Sequence, residues 1–227
     1  MTHPALLDEH YYCADEFHRC DGGGAGEALR YNPALLPEPR KWRTICIDPP
    51  WEYRQKFADP RKATAFWTKR RRAGKGAAAS YGCMTQAQLL ALPMGEWVAP
   101  EGSHLYLWTT NQFMVDAHAL AKAWGFEVKT ILTWVKHGLR MGFYYRNNTE
   151  HVLFGVKGSL RTLPAARSLP TAFYGRAPRR HSEKPQAFYD MVETASPGPY
   201  LDVFARKQRM GWDVAGNEVY SVIPELA

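Results

Sequence analysis

Thr44-Ile45-Cys46-Ile47-Asp48-Pro49-Pro50-Trp51 is an apolar, partly β-branched run that stops at an acid followed by two prolines. Such a run reads as a short buried strand, because proline lacks the N–H that a sheet ladder needs and is tolerated at strand ends and turns. A strand opening into a polar loop is where open α/β sheets bind ligands, beyond the carboxyl ends of their strands. Asp48 offers a carboxylate there and Pro49 a carbonyl, two acceptors on a backbone that the prolines stiffen. An acceptor pair suits an exocyclic aromatic amine, a poor nucleophile whose lone pair is delocalised into its ring. Held by both hydrogens, such an amine can become pyramidal as it meets an electrophile. Trp51 adds a ring on which a base can stack.

The 227 residues, 45% hydrophobic and 13% aromatic, suffice for one α/β domain with a substantial core and are too few for a second full domain. An N-terminal arm over residues 1–41, with a flexible glycine cluster from Gly22 to Gly26, is expected to precede a single domain over 42–227. The net charge of +7 is unevenly placed. From Arg54 to Gly76 nine basic residues accompany Asp59 alone, and from Lys157 to Lys184 seven accompany Glu183 alone. These basic loops, at 54–80 and 157–184, are a footprint for phosphate. In the first, Arg70, Arg71 and Arg72 lie near Phe66 and Trp67, so cations for phosphates accompany rings for bases.

Cys13, Cys20, Cys46 and Cys83 form no CxxC framework, and His10, Cys13, His18 and Cys20 match no familiar zinc spacing, so no metal is expected. No stretch is apolar enough for a signal peptide or a membrane span, and a reducing, cytoplasmic setting is inferred.

Strands and helices alternate in the reading, which argues for a largely parallel sheet with helices on its faces. After the strand at 44–47, Thr85 and Gln88 fit a capping box for a helix beginning near Gln86. Leu105 to Trp108 reads as a strand. Asn111 reads as the cap of a helix carrying Val115, Ala119 and Leu120, stopped by Gly125. Phe126 to Val135 and His151 to Val156 read as strands, with a polar and aromatic loop from Lys136 to Glu150 that holds pocket candidates. Gly158 to His181 reads as a long functional loop. Ser182 reads as the cap of a helix through Phe188, Met191 and Val192, and Tyr200 to Phe204 as the strand after it.

Several motifs occur in one order: Asp48-Pro49-Pro50-Trp51, Tyr81-Gly82-Cys83-Met84-Thr85, Leu107-Trp108-Thr109, Thr133-Trp134-Val135-Lys136, Glu150-His151, Gly155-Val156-Lys157-Gly158 and His181-Ser182-Glu183-Lys184-Pro185. The chain strongly resembles, over about residues 42 to 219, the adenine-N6 methyltransferase family that includes the catalytic subunit of the eukaryotic messenger-RNA adenosine methyltransferase. The resemblance implies a class I, Rossmann-like fold that uses S-adenosylmethionine: a doubly wound, mostly parallel sheet with helices on both faces. It implies a catalytic group of Asp48, Pro49, Pro50 and Trp51. Ile47, Asp48, Lys184, Phe204, Arg206, Asn217 and Glu218 would bind the cofactor. Tyr81, Trp108, Trp134, Lys136 and Glu150 would line the substrate side; Arg70, Arg71 and Arg72 are assigned to phosphates on the basic composition of their own segment. For Glu150, pairing with an arginine of a neighbouring loop is the structural reading.

Ala205, Gln208-Arg209 and Asn217-Glu218 depart from the eukaryotic pattern of Gly, His-Asn and Asn-Gln, and the segment from Asp59 to Ser80 is longer. These departures resemble the bacterial and phage branch. The expected activity is transfer of a methyl group to adenine N6 in DNA, with RNA as the alternative polymer and a non-catalytic nucleic-acid-binding subunit as the rival class. Monomer and homodimer are both open.

Overall fold

A computed structural model describes residues 41–51, 83–140, 144–176 and 183–216. Its elements are β1 (Thr44–Ile47), α1 (Gln86–Leu90), α2 (Met94–Trp97), β2 (Gly102–Thr109), a 3-10 turn (Asn111–Phe113) and α3 (Met114–Ala123). They continue with β3 (Glu127–Arg140), β4 (Asn147–Gly158), a second 3-10 turn (Pro164–Ser168), β5 (Ala172–Gly175), α4 (Gln186–Ala195), β6 (Tyr200–Val203) and β7 (Trp212–Ala215). The seven strands form one sheet in the order β5-β3-β4-β2-β1-β6-β7. Only β4 is antiparallel to its neighbours, so the sheet is mostly parallel as expected.

Residue parity divides the sheet between two cores. Ile45, Ile47, Leu105, Leu107, Leu201 and Val203 point to the face covered by α1, α2 and α3. Cys46, Tyr106, Trp108, Trp134 and Val152 point to the other, which Phe188, Tyr189, Met191 and Val192 of α4 cover. Because a strand's side chains alternate, every chemistry-bearing residue at an even position near the end of β1, β2 or β6 emerges on the α4 face. β1 lies between β2 and β6 and is wholly buried, which is why its sequence is apolar at both parities.

Local chemistry sets several boundaries. The Thr85–Gln88 capping box is present, and Gly125 ends α3 with φ +83°. Gly102 opens β2 with φ +115°, where an added Cβ would lie 2.2 Å from the Lys157 carbonyl oxygen. Buried groups tie β2 to the end of α4: Ser196 Oγ is 2.8 Å from His104 Nδ1 and 2.7 Å from the Tyr106 hydroxyl.

Other expectations are corrected. Asn111 caps nothing; it lies in the 3-10 turn, and its Oδ1 is 2.7 Å from His151 Nε2. α3 buries Ala117, Leu120 and Ala121 and leaves Val115 80% exposed, so its face is rotated from the expected one. The loop expected from Lys136 to Glu150 is mostly strand, because β3 and β4 pair as a long hairpin that carries both residues. The loop expected from Gly158 to His181 contributes β5, which pairs with β3. α4 starts from Pro185 at its N-cap rather than Ser182, and β6 ends at Val203, since Phe204 turns out of the sheet with φ +62°. Cys46 is a buried free thiol. Among the described residues no helix is long and apolar enough to cross a membrane, and no cluster of His, Cys, Asp or Glu could hold a metal ion. The arm over 1–40, including its His and Cys residues, lies outside the described residues.

Candidate active site

Asp48 stands one residue past β1, with its backbone N–H donating to the Val203 carbonyl at 3.3 Å. The two prolines then turn the chain. Trp51 N–H donates to the Pro49 carbonyl and Met84 N–H to the Pro50 carbonyl, both at 2.8 Å, so the acceptor attributed to Pro49 is half engaged and keeps its second lone pair. Trp51 is corrected as an open stacking platform. Its indole is buried, stacks on Phe113 at 5.3 Å, and donates from Nε1 to the Trp108 carbonyl at 3.2 Å. Ile47 is fully buried in the α3-face core, which leaves only its backbone for any ligand.

Four charged side chains converge on the α4 face. Lys184 Nζ lies 3.1 Å from Asp48 Oδ2 and 3.0 Å from Glu150 Oε2, and Lys136 Nζ lies 2.5 Å from Glu150 Oε1. Glu150 therefore pairs with two lysines, not with an arginine. Two carboxylates and two ammonium groups leave this chain neutral, which is how it tolerates burial. Burial works against the Glu150 charge, but Lys184 and Lys136 outweigh it and hold the carboxyl down at about 2. Burial likewise disfavours the Lys184 ammonium, and the two carboxylates reverse this and raise its proton affinity. Asp48 is pushed upward by burial, with Lys184 opposing.

Trp108 and Trp134 are almost wholly buried and meet edge to face at 6.1 Å. The Lys184 ammonium lies over the Trp108 ring at 4.4 Å and that of Lys136 over Trp134 at 4.9 Å. These rings are the floor of the charge chain. Trp108 lines the adjoining cleft, while Trp134 packs behind it and donates to the Gly175 carbonyl at 3.0 Å.

A shallow cleft open to solvent is lined by Asp48, Lys184 and Trp108 together with Phe204, Ala205, Arg206 and Arg209. Three expected cofactor contacts thus share it with Asp48. Among the lining residues not expected as site residues are Asp202 and Arg209. Asp202, on β6 beside Cys46, is 6% exposed, accepts from the Tyr189 hydroxyl at 2.8 Å, and is raised by burial to about 7. An acid between Leu201 and Val203 in an apolar strand was its available signal. Arg209 lies over the Tyr189 ring at 3.4 Å and gives Nη1 to Gln186 at 2.6 Å, while its buried Nε has no partner among the described residues. Gly216 packs closely on the turn after β6, since a Cβ there would meet the Ala205 carbonyl oxygen at 2.4 Å. Tyr81, Arg70, Arg71, Arg72, Asn217 and Glu218 lie outside the described residues.

Known proteins align with this chain along most of its length. A type II methyltransferase, M.MunI of Mycoplasma sp, is 30% identical over 185 residues, covering 79% of this chain and 78% of that protein. The N(6)-adenosine-methyltransferase MT-A70-like protein of Drosophila melanogaster is 26% identical over 200 residues, with 82% of this chain but only 29% of the fly protein covered. METTL3 of Homo sapiens, an N(6)-adenosine-methyltransferase catalytic subunit, is 24% identical over 190 residues, 79% of this chain and 28% of its own length. The family profile spans β1, the charge chain and the whole cleft, matching residues 42–218: the chain belongs to the MT-A70 family and is a methyltransferase of it.

Proposed function

We propose that the protein transfers a methyl group from S-adenosylmethionine to the exocyclic amine of adenine in DNA. The observation that carries this reading is Asp48, held at the end of the central strand by Lys184 and facing a cleft with ligand groups of both signs. The cleft suits a cofactor that is zwitterionic at its amino-acid end. Asp202 is a carboxylate with no direct ion pair among the described residues, and the orphaned Arg209 Nε offers a donor. Asp48, Asp202, Lys184, Phe204, Arg206 and Arg209 would hold it, with Asn217 and Glu218, next in the sequence after Gly216, as further candidates.

When bound, the cofactor supplies a methyl group on a positively charged sulfur. The chain does the rest. One oxygen of Asp48 is engaged by Lys184 and the other accepts an amine hydrogen, while the free lone pair of Pro49 takes the second. As the carbon–nitrogen bond forms, the nitrogen must shed a proton, and burial fits Asp48 to receive it. Lys184 then stabilises the state in which Asp48 is charged again. In duplex DNA the adenine must first leave the stack, and the basic residues concentrated in two segments of the sequence suit phosphate contacts.

DNA is preferred because the type II methyltransferase is matched over most of both chains, whereas the adenosine methyltransferases are matched over under a third of their length. The test is nucleoside mass spectrometry after incubation with the cofactor and unmethylated duplex DNA, single-stranded DNA or RNA. Methyladenine in DNA supports the reading; methyladenine in RNA alone reverses the polymer. Asp48→Ala should lower turnover at least a hundredfold in protein that still folds, with Glu150 left to pair with Lys184. Turnover retained in that variant would sink the mechanism.

A further inference from the structure

β3 and β4 run on past the rest of the sheet. His151 of β4 faces Thr109, the last residue of β2, and also Thr133 of β3, yet β3 continues to Arg140. Those seven further residues extend about 23 Å at roughly 3.3 Å each. β5 stops opposite Lys136, so from His137 onward the hairpin has no neighbouring strand among the described residues. Its direction is fixed by the ladders: β3 is antiparallel to β4, β4 to β2, and β2 is parallel to β1, so the ribbon projects beyond the sheet edge that carries Asp48. A register shift lies between Val135 and Arg140, where Gly138 takes φ +84°, the bulge that bends such ribbons.

The ribbon presents rings and positive charge. Tyr144 and Tyr145 are 105% and 85% exposed and Leu139 is 63% exposed, and Tyr144 is held with φ +61°. A tyrosine in the left-handed region is costly and is found where function repays the strain. Beyond the ion-paired root, positions 137 to 149 contain Arg140 and Arg146 and no carboxylate. A second copy of this chain fits such a tip poorly, because like charges would meet and three exposed apolar side chains fall far short of a standard interface. Aromatic rings beside cations fit a nucleic-acid strand.

We propose that the β3–β4 ribbon is a nucleic-acid arm, on which Tyr144 and Tyr145 stack with unpaired bases flanking the adenine held at Asp48. The inference rests on the functional reading above and names how that site grips its polymer. The root of the ribbon is Lys136 and Glu150, inside the charge chain. Tyr145 is five residues from Glu150, about 17 Å along the strand, or roughly five stacked base steps.

The test is the double variant Tyr144→Ala/Tyr145→Ala in the full chain. Fluorescence anisotropy with single-stranded and duplex oligonucleotides should show DNA affinity falling about tenfold or more, with KM rising in parallel. kcat at saturating DNA and the calorimetric Kd for S-adenosylmethionine should stay at parental values. Tyr→Phe at both positions should retain affinity and Tyr→Leu should not, because stacking needs the ring and not the hydroxyl. An alanine variant that binds and methylates DNA like its active parent overturns the arm alone. So do leucines that serve as well as phenylalanines, or a variant whose only change is a smaller mass by light scattering. A parent inert on every polymer overturns the functional reading and the arm with it.

Discussion

Lys184 sits before a helix start, where a cation is unfavourable to the helix dipole, and its two carboxylate partners explain why it is tolerated there. Removing one member of a buried charge network strands the others. Lys184→Met should therefore cost about 3–5 kcal/mol in urea unfolding, and adding Glu150→Gln should recover part of that loss. Equal stability of the Lys184 variant and its parent would contradict the network. Asp202 behaves differently because its carboxyl is raised to about 7, mainly by burial. The unfolded chain ionises this group near pH 4 while the folded chain retains its proton, so its contribution is fully present below pH ~4 and declines until pH ~7. Asp202→Asn should remove that decline. The variant should gain a few kcal/mol relative to its parent between about pH 4 and pH 8, measured as the difference between their Tm curves.

At the scale of elements, the close crossing of β2 and β4 limits what the hairpin can accept. Gly102→Ala combines a left-handed backbone with a Cβ 2.2 Å from a backbone oxygen that cannot yield cheaply. It should destabilise by more than 2 kcal/mol, whereas Gly95→Ala in α2, with nothing within 4 Å, should cost nothing or stabilise. The lock between β2 and α4 is polar. Ser196→Ala leaves His104 and Tyr106 each short of a partner in a buried site and should cost about 1–3 kcal/mol by chemical denaturation.

For the molecule as a whole, two cores meet on one sheet, and the site lies where even-numbered residues of its central strands reach the α4 face. The charge is segregated in the sequence as well, with two basic segments carrying more than the whole net charge of +7 and the remainder acidic. Release of counterions from phosphate should then dominate affinity. DNA binding should fall at least tenfold between about 50 and 200 mM salt, while the cofactor Kd moves little. A flat salt response in an oligonucleotide titration would deny the basic segments a role.

The sequence by itself determined the mostly parallel α/β sheet, the strand that delivers Asp48, the Thr85 capping box and the stop at Gly125. Each is a local signal: an apolar run ended by prolines, a side chain capping its own helix, or a glycine free to take positive φ. Only the tertiary structure decided which charges pair. Lys136, Glu150 and Lys184 are separated in sequence, and pairing depends on the register of β3 against β4 and on where α4 begins. It also decided that Trp51 and Trp134 are packed against other rings and that Asp202 faces the cleft. An aromatic on an apolar strand reads the same whether it meets a ligand or another ring, and a lone acid in a strand shows its surroundings only once neighbouring strands are in place. The long β3–β4 ribbon was hidden for a similar reason. Its polar and aromatic composition is that of a loop, and strand pairing across the hairpin, a non-local interaction, overrides that local preference.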